Sequence, residues 1–480
     1  MSIDINQEKK LFSLNTAHTT YQFFADTQGF LRHLYYGRKI GTFDMRYTEF
    51  YSDCGFSPNP GDMHEQRDFS LDTRPQEYTG CGIGDYRISC LSVSNGDGSY
   101  SADFRYVGFS VLDGKYPIPG LPASYDNGGE CETLRVDLKD HASGLELALY
   151  YGVFAEKDMI TRCALLRNGG SGTIRLYKAA SACLDIPFGK WDLIHFQGRH
   201  CMERMPERAP VPHGTMTVGS DRGTSSHQHN PFAILAAPET CEEFGQCYGA
   251  MLVYSGNFKI EAECSQLQST RLVLGISDQR FCWTLGPGEA FHTPEVLLSF
   301  TDGGLGSLSR CYQNFLGENI CRGTYRDTPR QVLINNWEAT YFHFTGEKLC
   351  AIAQQAKELG VEDEGYYDGA RTPSEIDDSA VHMFRDNSKC ILCRRCVAMC
   401  EQVQGIGVIG PNQRGFATNI GSAFEMGLGE TSCVSCGQCI AVCPTGALYE
   451  KSCIDDVLAA IHDPNKHVIV QTAPAVRAGL

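Results

Sequence analysis

Nine of the chain's 23 cysteines crowd between Cys390 and Cys453, and eight of those nine form two copies of one spacing. Cys390, Cys393, Cys396 and Cys400 read C-x2-C-x2-C-x3-C, and Cys433, Cys436, Cys439 and Cys443 repeat it with Pro444 behind the last. Two-residue gaps let a tight loop present three thiolates to three corners of an iron–sulfur cubane, while the fourth cysteine, set further along a turn of helix, points away to the other cluster. The spacing predicts two [4Fe–4S] clusters with crossed ligands. Cys390, Cys393, Cys396 and Cys443 would hold the first, and Cys433, Cys436, Cys439 and Cys400 the second. Zinc asks for four ligands per site at two-plus-two spacing, often with histidine, and a disulfide knot belongs outside the cell, so neither suits a duplicated octet. A module of this kind sets potential and distance and works through a redox protein partner; the amides of Gly405, Gly407 and Gly437 are candidate donors to cluster sulfurs. Cys453 lies outside the spacing and reads as an ordinary thiol.

The other fourteen cysteines are scattered singly between Cys54 and Cys350 and read as free thiols, many of them buried. With 480 residues, 42% hydrophobic and 20% charged, the chain has the composition of a soluble globular protein of two to four domains. A formal charge of −16 disfavours nucleic acid and anionic lipid, and no basic patch offsets it. The amino terminus has no cleavable leader and no run of 18 apolar residues follows, so the expected setting is the cytoplasm, away from membranes.

The elements that must position these residues change character along the chain. To about Thr328 the sequence alternates apolar and polar residues between turns. Leu134 to Leu138 alternates, Ala142-Ser-Gly144 turns, and Leu145 to Leu149 alternates again, a hairpin signature; a second such case runs Met159 to Leu166, Asn168 to Gly172, and Thr173 to Tyr177. Residues 1–328 are therefore expected to form a large antiparallel β-sandwich. Val332 to Trp337 reads as a strand and Glu347 to Gly360 as a helix, with Thr345 as N-cap, Gly360 behind its end, and Leu349, Ile352, Ala353, Ala356 and Leu359 on one face. Residues 329–361 thus form one β/α unit of the kind that builds parallel barrels. Seven acidic residues between Glu362 and Asp378 mark residues 362–384 as a linker. The cluster domain, small and α+β, spans 385–451; Ile454, Val457, Leu458 and Ile461 suggest a short helix beyond it, and His467 to Thr472 a strand.

Two family resemblances lie on these segments. Arg385-Asp-Asn-Ser-Lys-Cys-Ile-Leu-Cys-Arg-Arg-Cys-Val397, Arg414-Gly-Phe-Ala-Thr418, Cys436-Gly-Gln-Cys-Ile-Ala-Val-Cys-Pro-Thr-Gly-Ala-Leu448 and Val470-Gln-Thr-Ala-Pro-Ala-Val-Arg477 resemble the two-cluster module of [FeFe]-hydrogenases and, in 452–480, the start of their catalytic domain. No cysteine follows Cys453 to hold that family's active-site cluster, so hydrogen chemistry is not expected. Leu34-Tyr-Tyr-Gly37, Tyr51-Ser-Asp-Cys-Gly55, Glu77-Tyr78, Gly84-Asp-Tyr-Arg87, Arg222-Gly-Thr-Ser-Ser-His-Gln-His-Asn-Pro-Phe232, Tyr254-Ser-Gly-Asn-Phe258 and Leu333-Ile-Asn-Asn-Trp-Glu-Ala-Thr-Tyr-Phe342 are similar to α-galactosidases of glycoside hydrolase family 36.

That second resemblance covers residues 10 to 361 and implies a β-sandwich ahead of a catalytic (β/α)8 barrel. Retaining glycosidases need two carboxylates about 5 Å apart, and the family takes both from barrel strands beyond the first, so no catalytic residue is assigned here and the barrel is read as truncated. The resemblance places Trp337 in the wall of a galactose pocket and Asp53 in a sandwich loop that can reach a neighbouring subunit, a slight galactoside contact at most. His227 and His229 are read as part of a hydrogen-bonded loop rather than a metal site. The two resemblances meet at Ala356 to Glu362, which suits either family, and the simplest expectation is an accidental join made in sequence assembly or by recombination.

Overall fold

Alternating apolar residues bury one face of each strand, and in the first 330 residues they do so on three antiparallel sheets. The computed structural model describes residues 2–49, 69–329, 335–360 and 376–474. It divides into two compact units, 1–330 and 331–480. In the first unit Ile3–Asn6, Leu11–Asn15, Thr19–Ala25 and Leu31–Arg38 form a four-stranded meander. A ten-stranded sheet carries the hairpin Cys131–Asp140 and Leu145–Phe154, with Leu138 opposite Leu147 as the alternation predicts. A six-stranded sheet is built around Ile174–Ile186. One apolar core draws on all three sheets, including Phe12, Tyr21, Leu134, Leu147, Leu184 and Leu272. A second apolar cluster seats the helix Gly304–Asn319 on the large sheet through Leu308, Tyr312 and Phe315, the last edge-on to Phe154 at 4.9 Å.

The second expected hairpin is not one. Met159–Asn168 and Ile174–Ile186 are both strands, but they lie in different sheets and the turn between them carries the chain across the sandwich. Both edges of Met159–Asn168 are already taken, one along its whole length by Leu145–Phe154, the other by Glu295–Thr301 and Ala290–His292. The buried Asn168 side chain braces the crossing by donating to the carbonyls of Gly172 (2.7 Å) and Leu285 (2.9 Å). Turn residues report a change of direction; they do not report which strand edge is free.

Unpaired charges do not survive in such a core, and two ionic groups inside it are fully partnered. Glu77, wholly buried, accepts from the hydroxyls of Tyr21 (2.8 Å) and Tyr151 (2.7 Å) and from His33 Nδ1 (2.7 Å), and lies 3.4 Å from Arg162. Burial pushes its carboxyl up, but Arg162 and these hydrogen bonds outweigh burial and leave it below the ordinary value. Asp185 binds Arg271 through two 2.7 Å bonds, and Arg271 also donates to Asp85 at 3.0 Å.

The second unit departs from expectation in three places. Trp337 opens the one-turn helix Trp337–Thr340 and is 46% exposed rather than ending a strand; residues 332–334 of that expected strand lie outside the described residues. The β/α unit is therefore represented by its helix, Gly346–Glu358, capped by Thr345 Oγ1 on Lys348 N at 3.3 Å and followed by Gly360 at φ 88°. Of the expected linker, the strands Ile376–Asp377 and Met383–Asp386 are built into the sheet of the cysteine-rich region, because both find backbone partners there. His467 to Thr472 forms no strand: no described segment pairs with it, and Ile469 and Val470 are exposed. The helix after Cys453 is present as Ile454–His462. Among the described residues no helix is long and apolar enough to cross a membrane.

Burial pushes Asp185 up, yet its bonds to Arg271 pull the carboxyl down to about 2 from an ordinary 3.8. A depressed folded value means that this stabilisation is complete above pH about 4 and is lost as pH falls towards 2, some 2 kcal/mol in all. Asp185→Asn should therefore lower stability at pH 7 by about 3 kcal/mol, with the gap to the parent chain narrowing by pH 3. Urea unfolding followed by tryptophan fluorescence reads both, and an equal gap at the two pH values would refute the assignment.

Candidate metal centre

Both cysteine loops take one backbone path. Leu392 and Arg394 in the first loop have φ of 56° and 60°, and Ser435 and Gly437, at the matching positions of the second, have 58° and 69°. Left-handed residues next to right-handed ones reverse the chain between consecutive cysteines and turn successive N–H groups inward, the nest geometry of many iron–sulfur sites. Each loop then enters a one-turn helix, Arg395–Ala398 holding Cys396 and Gln438–Ala441 holding Cys439. The first continues as the π-helical turn Met399–Val403, which carries Cys400. The second ends sooner, with Cys443 N–H on Ile440 O at 3.1 Å and Pro444 preventing continuation.

A short sheet closes the two halves on each other. Met383–Asp386 pairs with Leu448–Glu450, Phe384 opposite Tyr449 with the rings stacked at 5.1 Å, and Ile376–Asp377 adds the outer strand. Asp386 N–H donates to Ala447 O at 2.7 Å, and the buried Arg385 donates to Asp377 Oδ2 at 2.9 Å and Ile420 O at 3.3 Å. The residues between the halves form the hairpin Gly410–Asn412 with Asn419–Gly421 and supply Ile406, Ile409, Ile420 and Leu428 to the core.

This closure gathers the eight cysteines around two clefts. Cys390, Cys393, Cys396 and Cys443 line one, beside Arg394 and Pro444. Cys400, Cys433, Cys436 and Cys439 line the other, beside His382, Met383, Ile406 and Leu428. Each cleft thus has three cysteines of one motif and the fourth of the other.

Electrostatics follow the same grouping. Burial pushes the Cys396 thiol up to about 11; the Val397 amide opposes this, and Cys390, Cys443 and Cys393 add to it. Cys439 is likewise raised to about 11 by burial, with Cys433 and Cys436 contributing. Burial also acts on Cys443, but the amides of Leu448, Thr445 and Ala447 and the Thr445 hydroxyl overcome it and leave the thiol below its ordinary value. The Leu392 amide donates to Cys390 Sγ at 3.4 Å. Amides aimed at sulfur and thiols crowded against their own kind suit anionic sulfur ligands, because metal coordination removes the thiol protons outright. Among the described residues no three His, Cys, Asp or Glu side chains converge on a point as for a single ion. A cubane has four separate irons, so its ligands surround a volume instead.

Other candidate residues stand apart. Asp53 lies outside the described residues, and Trp337 contacts Tyr341 and Phe342 at 5.3 and 5.1 Å between ring centres. His227 is exposed, and His229 heads the strand His229–Ala236 with its amide on Ser226 O at 3.3 Å. Gly407, a candidate donor to sulfur, instead gives its amide to Cys400 O at 3.2 Å. Two features of the site had no sequence signal: the π-turn at Cys400, which no residue type announces, and His382, which lines the second cleft and lies eight residues before the first cysteine.

Comparison with known proteins places these segments. Residues 29–286 match the glycosyl hydrolase family 36 N-terminal domain, residues 290–383 match melibiase, and residues 389–447 match a 4Fe-4S dicluster domain. The bifunctional alpha-galactosidase/sucrose kinase AgaSK of Mediterraneibacter gnavus is 46% identical over 371 residues, covering 76% of this chain and 40% of the relative. Alpha-galactosidase AgaA of Geobacillus stearothermophilus is 39% identical over 374 residues, 76% of this chain and 51% of the relative. The solved galactosidase domain of AgaSK superposes with a TM-score of 0.72 at 45% identity, over 77% of this chain and 52% of that one. The chain spans about half the length of the curated relatives it matches.

Exposed Ser435 sits at φ 58°, where a side chain costs roughly 1 kcal/mol. Ser435→Gly should raise the stability of the cysteine-rich region by about that amount, and Ser435→Val should lower it by a similar amount or more. Hydrogen exchange of the residue 433–443 amides measures both; a Val variant as protected as the parent would contradict the left-handed turn.

Proposed function

This chain belongs to glycosyl hydrolase family 36, and from that premise we propose that its residues 389–447 hold two [4Fe–4S] clusters as an electron-transfer module joined to the family's sandwich domain. The observation that carries the reading is the sharing of fourth cysteines: Cys443 stands with Cys390, Cys393 and Cys396, and Cys400 with Cys433, Cys436 and Cys439. A bound cluster of this type supplies one-electron transfer within a wide potential range. The chain's own work is to present the sulfur ligands, to donate amide hydrogens from Leu392, Val397 and Leu448, and to exclude water with Met383, Ile406 and Leu428.

For the sandwich, the relatives are named as alpha-galactosidases, and a role around α-galactosides is the corresponding proposal. Within residues 1–480 the family resemblance supplies neither the nucleophile nor the acid/base carboxylate, so this chain assayed alone is proposed not to cleave an aryl α-galactoside. The hydrogenase resemblance of the carboxyl-terminal residues is retained as an account of where a two-cluster module of this form arises. The join between 356 and 362 is read as accidental. A single long DNA read across codons 350 to 370 tests that reading, and intact parents at separate loci would support it.

Anaerobic reconstitution with iron and sulfide should yield about eight irons and matching acid-labile sulfide per chain; zinc without sulfide would refute the proposal. Crossed ligation has its own test. Cys443→Ala with Cys390→Ala strikes one predicted cluster and should leave one cubane, whereas Cys443→Ala with Cys433→Ala strikes both. The reverse pattern would mean that each motif binds its own cluster.

A further inference from the structure

His382 precedes the strand Met383–Asp386, held there by its own carbonyl, which accepts Lys451 N–H at 3.0 Å. Its side chain lines the cleft of Cys400, Cys433, Cys436 and Cys439. Both ring nitrogens, Nδ1 and Nε2, are shut off from solvent and have no hydrogen-bond partner among the described residues. A buried imidazole with neither nitrogen satisfied is destabilising, and such a group needs an explanation in function or in a missing partner. Met383, Ile406, Val408 and Leu428, which share the cleft wall, offer no oxygen or nitrogen from their side chains, and the amides of Gln404 and Gln438, which also line it, make no hydrogen bond to either ring nitrogen. The other acceptors that the cleft would contain are sulfurs.

We propose that His382 is a positioning residue for the second cluster, donating a ring N–H to one of its sulfides or to a ligating thiolate and so raising that cluster's reduction potential. Imidazole carries at least one N–H whichever tautomer it adopts, so a donor is available without any change of protonation. A hydrogen bond to cluster sulfur stabilises the reduced, more negative state over the oxidised one, which is the direction of the shift. The first cleft has no histidine: its polar side chains are Arg385, Asn387, Arg394 and Thr445, and the buried Arg385 Nε is a separate donor there that a change at His382 leaves untouched. The inference rests on the cluster reading above, and its test separates the two.

The full-length chain is reconstituted anaerobically and titrated by EPR-monitored reduction in two backgrounds. Cys393→Ala spoils the first cluster and leaves the second; Cys436→Ala spoils the second and leaves the first. Adding His382→Leu should weaken reduction about tenfold, 59 mV for a one-electron couple, in the Cys393→Ala background alone. His382→Gln, which keeps an N–H donor, should restore at least half of that shift. An unchanged potential in the Cys393→Ala background, or an equal shift in both, overturns the proposal while leaving the clusters in place. Should the leucine variant fail to assemble a cluster, 15N-histidine labelling of the otherwise unaltered chain decides: a 15N coupling to the reduced cluster that His382→Gln lacks supports the bond, and a spectrum without the coupling overturns it. A chain that takes up no iron and sulfide overturns the cluster reading and this inference with it.

Discussion

The candidate site depends on one short antiparallel pairing, Met383–Asp386 against Leu448–Glu450. Cys390 follows the first strand and Cys443 precedes the second, so closing the pair draws the start of one motif to the end of the other. Three register positions, one stacked aromatic pair and the Asp386 to Ala447 hydrogen bond fix the approach. With that approach fixed, two loops of the same left-handed path each line a cleft completed by the other motif's fourth cysteine. Lys389 over the Tyr449 ring at 5.1 Å and Lys451 over Phe384 at 4.8 Å brace the stacked pair from both ends.

What could be read from the residues, and what could not, divides along the range of the interactions. Cysteine spacing acts within a few residues, and the grouping it predicts is the grouping of the clefts. The hairpin at 142–144 and the helix capped by Thr345 were equally legible, since alternation, turn and cap are local. The crossing at 168–174 is not, because the edge of Met159–Asn168 that Leu145–Phe154 leaves free is filled by residues more than a hundred positions away. His467 to Thr472 shows the converse: β-branched residues without a partner edge do not make a strand. The apolar run that makes Trp337 read as a strand end lies mostly outside the described residues.

The buried charges of the sandwich were equally beyond local reading. Glu77, His33 and Arg162 sit on separate segments, and nothing in the neighbourhood of any one of them announces the others. Their meeting is what lets Tyr21 and Tyr151 bury hydroxyls in an otherwise apolar layer, because the carboxylate accepts both. The same holds for Asp185, Arg271 and Asp85, where two carboxylates share one guanidinium and Arg87 lies 2.9 Å from Asp85. Such networks specify one packing of the sheets, since any slip of a strand would strand a charge in the core.

The two units differ in how much apolar material each can bury, and that difference bears on what iron would do. The sandwich core runs through dozens of aliphatic and aromatic side chains on three sheets and needs no cofactor to close. Among the described residues the core of the cysteine-rich region has eight buried members, two of them Cys396 and Cys400, and four of its ten partly buried neighbours are Cys390, Cys433, Cys439 and Cys443. A region of about this size seldom stabilises itself by apolar burial alone and commonly relies on covalent or metal cross-links. In such a core the ligand set and the folding nucleus are the same residues, so binding free energy becomes folding free energy for this unit.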